Sequence, residues 1–350
     1  MKKVIFLTSF CLIAIFSFAN NYRGEDRNYR YEKEKLIETA YDVTANPDLT
    51  MDGKYSDFII SVWDKPQIDF KVKVLVRGNN EEKVMAKFNS IEINLEQNGN
   101  NVYATTAFGD FPYRSFDGSI SIKYYVKVPA DVAMDLTTKY GDITLDEANK
   151  RLKVDLKYGD LKADNINIEN LIDNSIDVKY GDIQISEVKK LYLRLDYGNA
   201  RINKCEYIDA VIKYSNIVVS DLGEGLLENK YSTSRIESAE KVRFISTAYS
   251  DLFITSVDKE LNVDMRYSDL KAYVKSKSPI IYIDGQYSDT ELFLSGESSF
   301  NYHLDSSYGD VTFKGFFDTR TVKNVGTYGN GEPGRIDISV RYGDVDIIEQ

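Results

Sequence analysis

Apolar and polar residues alternate along most of this chain, and the alternation reverses phase at short fixed signals. Val154, Leu156 and Tyr158 alternate with polar neighbours, and after Gly159-Asp160 the apolar positions Leu161 and Ala163 continue on the opposite parity. The same pattern runs through Ile176, Val178, Tyr180 and then Ile183, Ile185, and through Leu193, Leu195, Tyr197 and then Ala200, Ile202. It recurs at Val263, Met265, Tyr267 before Leu270, Ala272, and at Ile338, Val340, Tyr342 before Val345, Ile347. Period-two alternation predicts strands with one buried face. A change of parity predicts a corner that keeps the same face inward.

The corner signal is an aromatic residue, then Gly or Ser, then usually Asp or Asn. Its aromatics are Tyr55, Phe108, Tyr140, Tyr158, Tyr180, Tyr197, Tyr214, Tyr231, Tyr249, Tyr267, Tyr287, Tyr308, Tyr328 and Tyr342. From Tyr140 onward most are separated by 17 to 22 residues. A near-constant period of that length predicts a repeat array. Two strands leave no room for a helix within such a repeat. The expected fold is all-β, a parallel β-solenoid (β-helix or β-roll) of about twelve coils of 17 to 22 residues. The second corner position is Gly eight times and Ser six times. Ser would be disfavoured at positive φ, so small size is the expected requirement there.

Residues 36–129 read differently. Ile68, Phe70, Val72, Val74 and Val76 alternate as a strand, Glu81 to Phe88 predicts a short helix, and Ile91–Leu95 with Val102–Thr106 predicts a hairpin. This is a β-rich N-terminal capping region, which a solenoid needs over its open edge. The array proper is expected over 130–350.

The start of the chain carries an address. Lys2 and Lys3 precede an apolar run from Val4 to Phe18, and Ser17 and Ala19 are small residues before Asn20. Residues 1–19 are read as a secretory signal peptide, the run being short for a membrane span. Cys11 lies inside that run behind Phe10, which argues against lipidation. Residues 20–35 mix both charge signs without periodicity and read as a flexible linker. Localisation is therefore expected to be exported: periplasm, cell surface or extracellular.

Composition narrows the function. The 350 residues carry 44 basic and 55 acidic side chains, a net charge of −11, which argues against a nucleic-acid partner. There are 26 Tyr but 1 Trp, 1 His and 2 Cys. These counts exclude a histidine-rich metal site and a disulfide scaffold. Removal of residues 1–19 leaves Cys205 as a lone thiol, expected to be inert in a turn or strand end, with intermolecular pairing as the other reading.

Ser56-Asp57-Phe58-Ile59-Ile60-Ser61-Val62-Trp63-Asp64, and Tyr124-Tyr125-Val126-Lys127-Val128-Pro129 followed by repeated Tyr-Gly-Asp corners, resemble the putative-adhesin family of bacterial β-strand-repeat proteins. The resemblance covers residues 36 to 350. It implies a β-solenoid and an envelope or extracellular location, and supplies no catalytic residues.

Stacked corner aspartates raise the question of calcium. Eight of the fourteen corners have Lys or Arg before the aromatic, and a basic column beside an acidic one is expected to neutralise it without metal. Calcium is not expected, and no cofactor or metal site is assigned. The tyrosines share parity with buried residues, so a core-edge aromatic ladder is expected; the competing reading is a carbohydrate-binding strip. Trp63 is expected in the core and His303 at a strand end. No nucleophile elbow, phosphate loop or Cys/His pair is present, so no catalytic residue is assigned. The functional expectation is an exported, non-catalytic interaction surface for a protein or glycan. The alternatives are a periplasmic envelope-stress or signalling accessory and, remotely, a polysaccharide-active β-helix enzyme.

Overall fold

The computed structural model describes residues 28–316 and 324–350. The expected signal peptide, with Cys11, lies outside the described residues. The chain forms two compact units, one ending at Ala163 and one beginning at Asp164. Strands dominate both, and no helix among the described residues is long and apolar enough to cross a membrane.

In the first unit the strands Asp48–Lys54 and Ser56–Trp63 meet at the Tyr55 corner. Asp48–Lys54 pairs in parallel with Ala133–Lys139, which pairs in parallel with Leu152–Lys157. A segment from the N-terminal region thus stacks directly on the first regular repeat. On its other side Asp48–Lys54 pairs in parallel with Asn101–Phe108, one arm of the expected hairpin with Ile91–Asn98. Gly99, at φ 62, turns that hairpin, a conformation glycine adopts without steric penalty. The expected helix spans Glu81–Asn89 and is capped by the Asn80 side chain, which accepts from the Lys83 amide.

The strand Gly118–Pro129 changes the sheet from parallel to antiparallel. It pairs in parallel with Ser56–Trp63 and antiparallel with Gln67–Gly78, which pairs antiparallel with Tyr31–Asp42. Tyr31 to Lys35 therefore belong to a strand, not to the linker expected over 20–35. Their polar pattern fits an edge strand held by ion pairs across it: Glu32 with Arg77, Glu34 with Lys73 and Glu38 with Lys71. Charge alternation, read as absence of structure, is here one partner of a complementary strand.

In the second unit the repeats stack in parallel, in register except at bulges such as the one that leaves Ile245 unpaired between Phe244 and Ser246. Asn199–Lys213, Asn216–Lys230, Thr233–Ala248 and Asp251–Arg266 run from one corner to the next as continuous bent strands, so the return segments are themselves strand. Equivalent residues lie beside one another: Ile202, Val219, Ile236 and Ile254 form one buried row, and Cys205, Leu222, Ala239 and Val257 another. Each buried methyl or methylene contributes about 0.8 kcal/mol, and in-register stacking repeats that contribution coil after coil.

The C-terminal repeats are not in sequence order. Gly334–Arg341 pairs in parallel with Ile280–Gln286 on one side and with Phe300–Ser307 on the other. Val345–Glu349 lies likewise between Thr290–Leu294 and Val311–Lys314. The last coil of the chain thus fills a slot between the Tyr287 and Tyr308 coils. Tyr328 is not a corner of this coil. It ends the strand Val325–Tyr328, which pairs antiparallel with Phe300–Ser307, and its ring packs on Phe300 and Phe316. Phe108 is not a corner either: it ends its hairpin arm and sets its ring edge-on to Tyr55.

Candidate interaction surface

Twelve corner tyrosines, Tyr55, Tyr140, Tyr158, Tyr180, Tyr197, Tyr214, Tyr231, Tyr249, Tyr267, Tyr287, Tyr308 and Tyr342, sit at φ between 50 and 61. This left-handed conformation is uncommon for a side chain of that size. It takes the tyrosine out of the strand's inward-outward alternation. A strand residue two positions after Leu195 or Ile212 would point inward, but the left-handed twist swings the tyrosine outward. The rings form the expected ladder, yet on the solvent side of the corner: Tyr214 is 49% exposed.

The second corner position does not take positive φ at Gly141, Gly159 or Gly198. As expected from the Gly/Ser mixture, small size is what matters there, although two different packings achieve it. A Cβ added at Gly159 would collide with the Gly141 carbonyl oxygen, and one at Gly198 with that of Gly181. Where Ser occupies the position it is buried and bonded along the array. Ser232 Oγ donates to the Lys230 carbonyl at 2.8 Å and accepts the Ser215 amide at 3.3 Å. The Ser232 and Ser250 amides donate in turn to Ser250 and Ser268 Oγ.

The tyrosine amides hold the left-handed corners in place. Tyr197, Tyr214 and Tyr231 donate to the carbonyls of Lys213, Lys230 and Ala248 in the following coil. The rings then stack at the strand spacing. In the second unit the column runs Tyr180, Tyr197, Tyr214, Tyr231, Tyr249, Tyr267, Tyr287, Tyr342, Tyr308, with centroids 4.7 to 5.0 Å apart and planes within 8° of parallel. In the first unit Tyr55 and Tyr140 are 5.2 Å apart, and Tyr140 and Tyr158 5.0 Å. Parallel rings at these distances exceed a face contact of about 3.5–4.0 Å, so they are inclined and offset, as the aromatic quadrupole favours. The ring faces within the column cover one another, leaving edges and hydroxyls to solvent. A sugar-stacking strip of free ring faces is therefore not what the column offers. The Tyr197 phenol is pushed up in pKa, first by lost solvation and then by the neighbouring Tyr180 and Tyr214.

The corner carboxylates accept backbone amides from adjacent coils. Asp142 and Asp160 amides donate to Asp57 and Asp142 Oδ1 at 3.2 and 2.9 Å, and the Asp344 and Asp310 amides to Asp289 and Asp344 Oδ1 at 2.9 Å each. This differs from the expected neutralisation by a basic column. Lys157 pairs with Asp155 and Lys179 with Asp196, while Lys54, Lys139 and Arg341 lie over tyrosine rings. The acidic row is stabilised by directed N–H bonds, which a carboxylate accepts strongly. No group of three or more His, Cys, Asp or Glu side chains among the described residues is arranged to hold a metal ion.

Cys205 lies within the strand Asn199–Lys213, not at a turn, and burial pushes its thiol up to about 12, which makes it unreactive. His303 is exposed in the middle of Phe300–Ser307, between buried Tyr302 and Leu304. Trp63 is half-buried on the outward parity, not in the core; its Nε1–H donates to the Gln67 carbonyl at 2.8 Å.

Residues 66–348 match the family model described as Toastrack DUF4097. The chain belongs to this family. Toastrack DUF4097 is in line with the putative-adhesin resemblance, a family of unknown function. Among solved structures the chain is similar to a putative cell adhesion protein from Clostridium sporogenes, at 11% identity over 91% of this chain and 100% of that one, TM-score 0.23. It is also similar to a putative adhesin from Bacteroides fragilis, at 10% identity over 90% and 97%, TM-score 0.24. A putative lipid binding protein from Parabacteroides distasonis matches at 10% identity over 89% and 96%, TM-score 0.32. No curated protein matches the chain.

Proposed function

We propose that this Toastrack protein is an exported, non-catalytic interaction protein whose tyrosine column is the surface a protein or glycan partner meets. The observation that carries this reading is the column: nine rings in the second unit, repeated at strand spacing with edges and hydroxyls outward. Such a row offers many identical weak contacts along one line, which suits an extended partner through multivalency. In this reading residues 1–19 direct export, 20–30 tether the mature chain, 31–129 cap the array and 130–350 form about twelve stacked coils. The adhesin names of the similar structures agree with it.

Protease treatment of intact cells tests the placement. The array should be cleaved or shed from whole cells, and the mature chain should begin at Asn20. Protection until lysis would favour a periplasmic accessory role, and retention of Met1 would overturn export by cleavage.

A further inference from the structure

Trp63 ends the strand that leaves the Tyr55 corner, at the far end from the tyrosine column. Its register partner is Pro129, and Pro66 follows three residues on. Neither proline has an amide hydrogen to extend the ladder, so pairing stops and a hollow opens beside the strand ends. The hollow has a volume of about 430 Å³ and is lined by Trp63, Asp64, Lys65, Pro66, Pro129 and Asp131 among others. That lies in the range of small-ligand sites.

Three features give the hollow a chemistry. The indole is fixed, because its only polar hydrogen is held by the Gln67 carbonyl, so the ring itself is what remains to meet a ligand. The Lys65 and Lys127 ammonium groups stand 4.9 and 5.5 Å from the ring centroid. Neither lysine has a carboxylate within ion-pair distance among the described residues, although Asp69 lies opposite Lys127 in the sheet register. Asp64 at the rim can accept hydrogen bonds from hydroxyl groups.

We propose that this hollow binds an acidic sugar residue of a glycan. The sugar's C–H face would lie on Trp63 and the proline walls, its carboxylate would take the Lys65 ammonium group of the lining together with Lys127, which stands beside the indole outside it, and its hydroxyls would donate to the lining carboxylates Asp64 and Asp131. Two cations on an aromatic ring favour an anion that brings an apolar face with it. The site is separate from the tyrosine column and does not depend on it.

Trp63 is the chain's one tryptophan, so its fluorescence reports this hollow alone. Full-length protein is titrated with a galacturonate oligosaccharide, with the methyl ester of the same oligosaccharide, and with acetate. The acid form should give a saturable emission change and bind about tenfold more tightly than the ester, the effect of one charge-assisted contact. Lys65→Met and Lys127→Met should each weaken it by about fivefold to tenfold at unchanged melting temperature. Calorimetry on Trp63→Phe should show weakened binding by a readout independent of the indole. Absence of a saturable response to the acid oligosaccharide, equal binding of the ester, an equal response to acetate, or wild-type binding by both lysine variants would each overturn the assignment.

Discussion

Holding tyrosine in the left-handed region costs about 1–2 kcal/mol per residue, yet twelve corners do it. The amide bond to the next coil and the stacking on both ring faces offset that cost, an aromatic pair contributing about 0.5–1.5 kcal/mol. Tyr214→Ala keeps the strained backbone and loses two stacks, so it should destabilise by about 2 kcal/mol in denaturant melts. Glycine relieves the strain, so Tyr214→Gly should cost about 1 kcal/mol less than Tyr214→Ala, the reverse of the usual order within strands. Tyr342 lies between Tyr287 and Tyr308, so Tyr342→Ala should behave like Tyr214→Ala. Tyr308, at 76% exposure and stacked on Tyr342, should lose about half as much. Alanine tolerated as well as glycine at Tyr214 would refute the left-handed corner.

Alkaline pH tests the buried acids at the same scale. Burial raises the Tyr124 phenol to about 12, against the bond its hydroxyl makes with Thr106, and raises the Cys205 thiol to about 12. Below their ordinary pKa values both are protonated, folded or unfolded, and stability is insensitive to them. Above those values the unfolded chain releases the protons first, so it binds fewer than the native state and stability falls as pH rises. Melts between roughly pH 8.5 and 12 should show the decline, and Cys205→Ala with Tyr124→Phe should make it shallower, the raised phenols of Tyr41, Tyr207 and Tyr302 supplying the remainder. An unchanged slope would show that other groups govern the transition.

At the scale of elements, the strands were legible because alternation is local: Ile202, Val219 and Ile236 announce an inward face in any window of a few residues. The helix and the hairpin were legible for the same reason. The outward swing of the tyrosines was not, because parity counting assumes ordinary strand dihedrals throughout. Nor could local patterning distinguish Phe108 and Tyr328 from true corners. That distinction depends on which distant strand each one meets. The slot filled by the last coil is a long-range fact of the same kind. Deleting residues 334–350 removes the parallel partners of Phe300–Ser307 and Val311–Lys314 together. Hydrogen exchange should then accelerate across Phe300–Lys314 while Asn199–Lys230 stays protected; uniform protection would contradict the insertion.

The two kinds of corner make a second prediction for the elements. Gly159→Ser places a residue found at six other corners where the Gly141 carbonyl already stands. It should cost about 1–3 kcal/mol, as overpacking does, and a neutral result would show that the corners are interchangeable.

At the largest scale, the repeated corners of the second unit set their surface chemistry along one column of nine rings instead of concentrating it in one cleft. The proposed contact with a partner is made by the tyrosine edges. Asparagine tolerates the left-handed region far better than most residues. A triple variant, Tyr231→Asn, Tyr249→Asn and Tyr267→Asn, therefore removes the aromatic surface with least disturbance of the corners. The measurement is saturable binding of the labelled full-length protein to intact cells and isolated envelopes, with the melting temperature as a check on folding. Binding by the folded variant should fall by at least about tenfold, the loss of a few aromatic contacts. A folded variant that binds as tightly as the wild type, or a wild type without saturable binding, would contradict it.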